Sequence, residues 1–217
     1  MQLQECFNMG EQTQRGKLAA VRCNGASNHS DVEREINDFY ATPTIATEKL
    51  IEYLDCNYPN IKKEMVWEPA CGKGHISEAL KGHGYTVIST DLIDRGYGCA
   101  GDDYDFLSDS NTKTDCHIIT NPPYKYAQEF VEKAMDIMED GKCLCMLMKL
   151  TFLEGKKRYD MFQKYPPEQL LVFSTRINCA HGGDFEKESE MGGAVAYAWY
   201  IWRKGNTDLP KLEWIKI

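Results

Sequence analysis

The chain has 217 residues and a formal net charge of −8. That is length enough for one α/β domain with a sizeable core, and the wrong overall sign for a nucleic-acid binder that works by global charge. Its 9 cysteines are scattered and odd in number, with no CxxC repeat or Cys/His ligand spacing, so no metal site is expected; Cys143 and Cys145 alternate on an apolar run and read as buried thiols. No signal peptide and no apolar run long enough to cross a membrane is visible, which makes a reducing cytoplasm the expected location.

Residues 1–30 are polar and glycine-containing with no sustained period, and read as a weakly ordered arm carrying Arg15, Lys17 and Arg22. A single folded domain is expected over 31–217. A helical start at 31–35 leads to Phe39 and Tyr40. Thr42 and Pro43 then suit an N-cap and first helical position, followed by an apolar stripe of Ile45, Leu50, Tyr53 and Leu54. Phe39 and Tyr40 are either core anchors or closers over a ligand.

Residues 65–67 form a short buried strand running into Glu68-Pro69-Ala70-Cys71-Gly72-Lys73-Gly74 and a helix over 76–81. Gly72 and Gly74 permit a sharp turn and a close ligand approach. The loop is neither a phosphate loop nor a GxGxxG dinucleotide turn. Glu68 would repel a pyrophosphate and favour an ammonium or sulfonium centre. The next strand, 85–91, is β-rich and ends in Asp91, a position that commonly accepts from ribose hydroxyls. Residues 101–107 are too acidic for a central strand. Asp105 and Phe106 there suit an adenine amino group and an adenine face, or else form a solvated loop.

The apolar run 116–120 reads as a buried parallel strand ending at Asn121-Pro122-Pro123-Tyr124. Consecutive prolines cannot continue a sheet or sit inside a helix. They hold a rigid extended loop at the carboxyl edge, where open α/β sheets carry ligands. A fixed amide, two fixed carbonyls and an aromatic ring at such an edge can grip a flat, amino-bearing group. A helix follows over 126–140, ended by Gly141, then a central strand over 142–150. The basic cluster Lys156-Lys157-Arg158 comes next, suited to phosphate or to solvent. After Pro166-Pro167, strands at 169–174 and 194–202 are joined by a loop rather than a crossover helix, and so pair antiparallel. That loop, 176–192, carries Phe185.

Together these motifs resemble the S-adenosylmethionine-dependent amino-methyltransferases of DNA, in particular small phage and prophage-like N6-adenine members with an Asn-Pro-Pro-Tyr motif. The resemblance covers roughly residues 36–203. It implies a Rossmann-like class I fold, a seven-stranded mostly parallel sheet with one antiparallel strand and flanking helices. It implies catalysis by Asn121, Pro122, Pro123 and Tyr124. It implies S-adenosyl-L-methionine held by Phe39, Tyr40, Thr42, Glu68, Pro69, Ala70, Cys71, Gly72, Gly74, Asp91, Asp105, Phe106 and Asn121. The substrate implied is a flipped DNA base, with adenine N6 favoured modestly by Tyr124 and cytosine N4, RNA or a protein glutamine as alternatives. A basic rim of Lys125, Lys156, Lys157, Arg158 and Arg176 is expected to meet the DNA, with Phe185 beside the base. Larger members carry a separate target-recognition domain, for which a catalytic domain over 31–217 leaves no room, so specificity is expected from short loops, from the region 176–192 or from a separate partner, and a homodimer is compatible with this.

Overall fold

The computed structural model describes residues 40–110, 113–181 and 195–217. The expected arm at 1–30, the helical start at 31–35, Phe39 and Phe185 lie outside the described residues.

In chain order the strands are β1 (Tyr40–Ala41), β2 (Met65–Glu68), β3 (Thr86–Asp91), β4 (Cys99–Ala100), β5 (His117–Thr120), β6 (Cys143–Lys149), β7 (Gln169–Phe173), β8 (Ala180–His181), β9 (Tyr197–Arg203) and β10 (Lys211–Ile215). The α-helices are α1 (Thr44–Asn57), α2 (His75–Gly82), α3 (Ala127–Ile137) and α4 (Tyr159–Lys164). The main sheet has the order β10-β7-β9-β6-β5-β2-β3-β4. Within it only β9 runs antiparallel, against both β6 and β7; the other pairings are parallel. β1 and β8 form a separate antiparallel pair.

The mostly parallel sheet with one antiparallel strand matches the sequence expectation, with eight strands in place of seven. The strands without a sequence signal, β4 and β10, close its two edges. β4 has only two residues, and four of the five in β10 are exposed, so neither carries the apolar run that marks a buried strand.

The strands alternate between two cores, as a period of two requires. Cys143, Cys145, Leu147, Trp199 and Ile201 pack with α1 and α2 through Leu50, Leu54, Ile76 and Leu80. Leu144, Met146, Met148, Tyr200 and Trp202 pack on the other face with Phe130, Val131 and Ala134 of α3 and Met161 of α4. Trp199 and Trp202 are fully buried. Their indole N–H groups donate to the carbonyls of Ala46 and Tyr165 at 2.8 and 3.0 Å, which offsets the cost of burying a polar atom.

Helix α3 is shorter than the period predicts. Residues Tyr124–Tyr126 form a 3₁₀ turn before it, and the chain leaves the helix at Met138 with ψ 148°. There Thr114 N–H donates to Ile137 C=O and Glu139 N–H donates to Thr114 C=O, at 2.9 and 3.1 Å. This parallel bridge draws the backbone out of the helix before Gly141.

Candidate active site

Because β2, β3, β5 and β6 are parallel, their carboxyl ends share one edge. Glu68, Asp91, Asn121 and Lys149 stand at that edge, each at or just past a strand terminus.

Asn121 is the best-defined group. Its Nδ2 donates to the Tyr40 carbonyl and to Thr42 Oγ1, both at 3.0 Å. A carbonyl can only accept, so this contact fixes which end of the amide faces Tyr40. Oδ1 is then turned the other way; it is buried and has no hydrogen-bond partner among the described residues. A buried acceptor in that state is costly unless something else donates to it. Thr42 therefore does not cap α1. The helix starts at Thr44 after Pro43, with no side-chain cap, and the Thr42 hydroxyl is used across the fold instead.

The Tyr124 ring lies 5.3 Å from Tyr40 and 6.0 Å from Tyr197, centroid to centroid. Its hydroxyl is buried beside Cys179 and Tyr197 without a well-formed hydrogen bond to a described residue. Burial, with those neighbours adding to it, pushes its pKa well above the ordinary value. Tyr124 thus offers a neutral ring rather than an acid or base. Lys149, the charged end of the apolar run of β6, places its ammonium 4.8 Å from the Tyr124 centroid and 5.6 Å from that of Tyr40, within cation–π range. The sequence reading missed Lys149, although a lone charge closing a run of apolar residues marks it.

At the neighbouring strand ends, Asp91 ties the glycine loop to the turn after β3. Gly72 N–H donates to Oδ2 at 2.7 Å; Ile93 N–H and the Arg95 guanidinium donate to Oδ1 at 2.8 and 3.2 Å. Glu68 is fully buried, accepts from Ser77 Oγ, and Ser77 in turn meets Ser89 Oγ at 2.6 Å. Burial is the main cause that pushes Glu68 up to about 8, with the Asp91 charge adding to it. Pro69 and Cys71 are buried and Ala70 half-buried. Burial also pushes the Cys71 thiol up to about 12, so it is no nucleophile.

Gly72 has φ 54° and Gly74 φ 82°. A Cβ on Gly74 would lie 2.5 Å from the Tyr97 ring. The close approach that the sequence assigns to a ligand is made in part by Tyr97, whose hydroxyl donates to Glu78 at 2.6 Å and accepts from Lys81 at 2.7 Å. No local pattern in the sequence signals Tyr97. Phe106 is buried, edge-on to Trp67 at 5.2 Å and 4.8 Å from Phe130. Asp105 beside it is half-buried and accepts from Leu107 N–H at 3.0 Å.

Of the expected rim, Lys125, Lys156, Lys157 and Arg176 are exposed. Arg158 instead folds back: its guanidinium donates to the carbonyls of Phe152 at 2.8 Å, Thr151 at 3.3 Å and Glu154, and covers the Phe152 ring at 5.0 Å. Next to it, Leu153, Gly155, Lys156, Tyr159 and Phe162 line an open groove of about 650 Å³.

No family model and no curated protein matches the chain; solved structures do. A protein assigned as a class I S-adenosylmethionine-dependent methyltransferase from Listeria monocytogenes aligns over 94% of this chain and 72% of its own, with a TM-score of 0.54 and 14% identity. The chain has the class I methyltransferase fold. A protein assigned as an RNA methyltransferase from Pyrococcus horikoshii aligns over 88% of this chain and 98% of its own, at TM-score 0.54 and 18% identity. The methyltransferase subunit of a type I restriction-modification system from Streptococcus thermophilus reaches a TM-score of 0.58 at 10% identity, over 83% of this chain and 47% of that one. At these identities the likeness is one of fold.

Proposed function

We propose that the protein transfers a methyl group from S-adenosyl-L-methionine to the exocyclic amino group of a flipped DNA base, with adenine N6 the first expectation. The observation that carries this reading is Asn121 Oδ1: a buried, unpartnered acceptor at a strand end, held in place by two contacts to the opposite end of the same amide. Such an atom suits an N–H donor.

The edge fits the cofactor in its chemistry. Asp91 and Asp105 supply carboxylates where a ligand with ammonium and ribose hydroxyl groups would need them, whereas Glu68, which the sequence offers to a sulfonium or ammonium, is buried against Ser77 and held neutral below about pH 8, and so serves to shape the loop. Asp91 has three donors against roughly four lone-pair sites, which leaves acceptor capacity for a ribose. Pro69, Ala70, Cys71, Gly72 and Gly74 would hold the methionine end, and Tyr40 and Thr42 would close over it. When bound, the cofactor supplies a methyl group already activated by its sulfonium.

The chain's part is to hold and polarise the acceptor. A base leaves the stack before its amino group can be reached, and the Tyr124 ring provides a flat neutral face for it. Asn121 Oδ1 and the Pro122 carbonyl accept the two amino hydrogens, shifting lone-pair density onto the nitrogen, and one of the two leaves to solvent as a proton once the nitrogen is methylated; Pro123 keeps that carbonyl rigid. Catalysis is then orientation and electrostatics, without a covalent enzyme intermediate. The Listeria and Streptococcus neighbours, with class I methyltransferase and restriction-modification descriptions, support the reading at the level of fold.

The test uses labelled cofactor with duplex DNA, RNA and protein in parallel, followed by digestion to nucleosides. Labelled N6-methyladenine from DNA is the expected product. N4-methylcytosine would change the base and keep the mechanism; label only in RNA or protein would overturn the substrate class.

A further inference from the structure

At the far edge of the sheet lies a strand with no neighbour among the described residues on its outer side. β10 pairs parallel with β7, and the backbone contacts define which way its groups point. Lys211 N–H donates to Glu168 C=O at 3.0 Å, and Ile215 C=O accepts from Ser174 N–H at 2.9 Å. Alternate residues of a strand aim their N–H and C=O to opposite sides, so Leu212 and Trp214 present theirs to the open edge. Their side chains share one face of the strand and are 47% and 73% exposed; Leu209 just before the strand is 87% exposed. Apolar side chains gathered along an unpaired edge template pairing with another chain.

We infer that β10 is a self-complementary edge on which a second copy of this chain docks, antiparallel, about a two-fold axis at Leu212. The sequence of the strand selects this register. With the axis at Leu212, Leu212 faces Leu212 of the second copy, Lys211 faces Glu213, Pro210 faces Trp214 and Leu209 faces Ile215. Each pair is apolar with apolar or opposite in charge, and cross-strand pairs of both kinds are stabilising. Two neighbouring registers also use the outward groups: one has its axis at Trp214 and sets Leu212 against Lys216 and Glu213 against Ile215, pairing charge with apolar surface, and the other has its axis at Glu213. It sets Glu213 against Glu213 and Lys211 against Ile215, and like charges directly opposite are destabilising.

The hydrogen-bonding agrees. Leu212 exchanges both bonds with its counterpart, and Trp214 N–H donates to the Pro210 carbonyl of the second copy. Pro210 has no N–H to return, so the ladder stops there. The interface is isologous and closes on itself as a dimer. Glu213 keeps its place beside the Tyr53 hydroxyl, which together with burial pushes that phenol up to about 12. Because the pairing reverses strand direction, the carboxyl edges of the two copies face opposite ways, and each copy keeps its own site intact.

Sedimentation velocity on the full chain over a dilution series tests the inference, at physiological salt so that the net charge of −8 on each copy is screened. A species of twice the chain's mass that dissociates on dilution is expected. Lys211→Glu should give monomer at every concentration, as should Glu213→Lys, and the double swap Lys211→Glu/Glu213→Lys should restore the dimer. Circular dichroism of each variant reports folding, and the double swap controls for any damage from the single changes. A wild-type monomer at all concentrations, a dimer that survives Lys211→Glu, or a folded double swap that stays monomeric would overturn it.

Discussion

At the scale of single residues, the site is built from atoms whose partners define their use. Asn121 spends both amide hydrogens on Tyr40 and Thr42 and keeps its oxygen. Asn121→Ala should therefore abolish turnover and weaken cofactor binding far less, since the lost acceptor acts on the transition state; calorimetry beside a methyl-transfer assay measures both. Thr42→Val removes one of the two contacts that hold the amide. It should lower kcat severalfold, with the amide still tethered by the Tyr40 carbonyl. Tyr124 gives the opposite contrast. Its hydroxyl is buried without a well-formed bond, so Tyr124→Phe removes a cost rather than an interaction and should leave activity intact, with stability equal or slightly higher. Tyr124→Ala removes the ring itself and should lose activity. A large defect in the Phe variant would mean that the hydroxyl, not the ring face, does the chemistry.

At the scale of elements, the join between β2, β3 and α2 is a buried polar knot. Glu68 from the first accepts from Ser77 on the helix, which touches Ser89 on the second strand. Burial raises Glu68 from 4.5 to about 8. Between those values the folded chain keeps a proton that the unfolded chain has released, so stability falls as pH rises through that window and levels off above it. Each pH unit of the interval is worth about 1.4 kcal/mol. Glu68→Gln, which is neutral throughout, should show less of this decline and melt higher than wild type above pH 8. A difference between the two proteins that does not change with pH would show Glu68 ionised throughout. His117, whose pKa burial lowers, adds a loss of stability on the acid side, and it cancels in the comparison. What the sequence discloses of these elements follows from range. The strands ending at Glu68, Asp91 and Asn121 are apolar runs cut by glycine or proline, and local patterning is enough to find them. Local pattern assigns the Thr42 hydroxyl to a helix cap because capping is the local use of such a side chain; its partner in the fold lies 79 residues away. Tyr97 against Gly74, and Lys149 over Tyr124, are tertiary contacts with no short-range period. β10 alternates apolar and charged residues but is mostly exposed, so its signal is weak beside those of buried strands.

At the scale of the whole molecule, the proposed function requires a net charge of −8 to coexist with a polyanionic substrate, which it can do only through one face. Among the exposed cations at or near the carboxyl edge are Lys125, Lys156, Lys157 and Arg176. Lys156 also lines the groove with the exposed Tyr159 ring, a pairing of charge and aromatic surface that suits a nucleic-acid strand. Arg158 belongs to the same short cluster in sequence but not in use, since its guanidinium is bound to three carbonyls of the preceding turn. The two kinds of residue should separate by salt dependence. Each phosphate contact contributes about 0.9 to the slope of log affinity against log salt. Lys156→Ala/Lys157→Ala should therefore reduce that slope by just under about two and weaken binding for all sequences alike. Arg158→Ala should leave the slope unchanged and lower the melting temperature instead, because the turn 151–155 loses its clamp. Fluorescence anisotropy with a labelled duplex across a salt series, beside thermal melts of the same proteins, distinguishes these outcomes. If the paired lysine variant keeps the wild-type slope, the DNA does not cross this groove, and the phosphate path runs past Lys125 and Arg176.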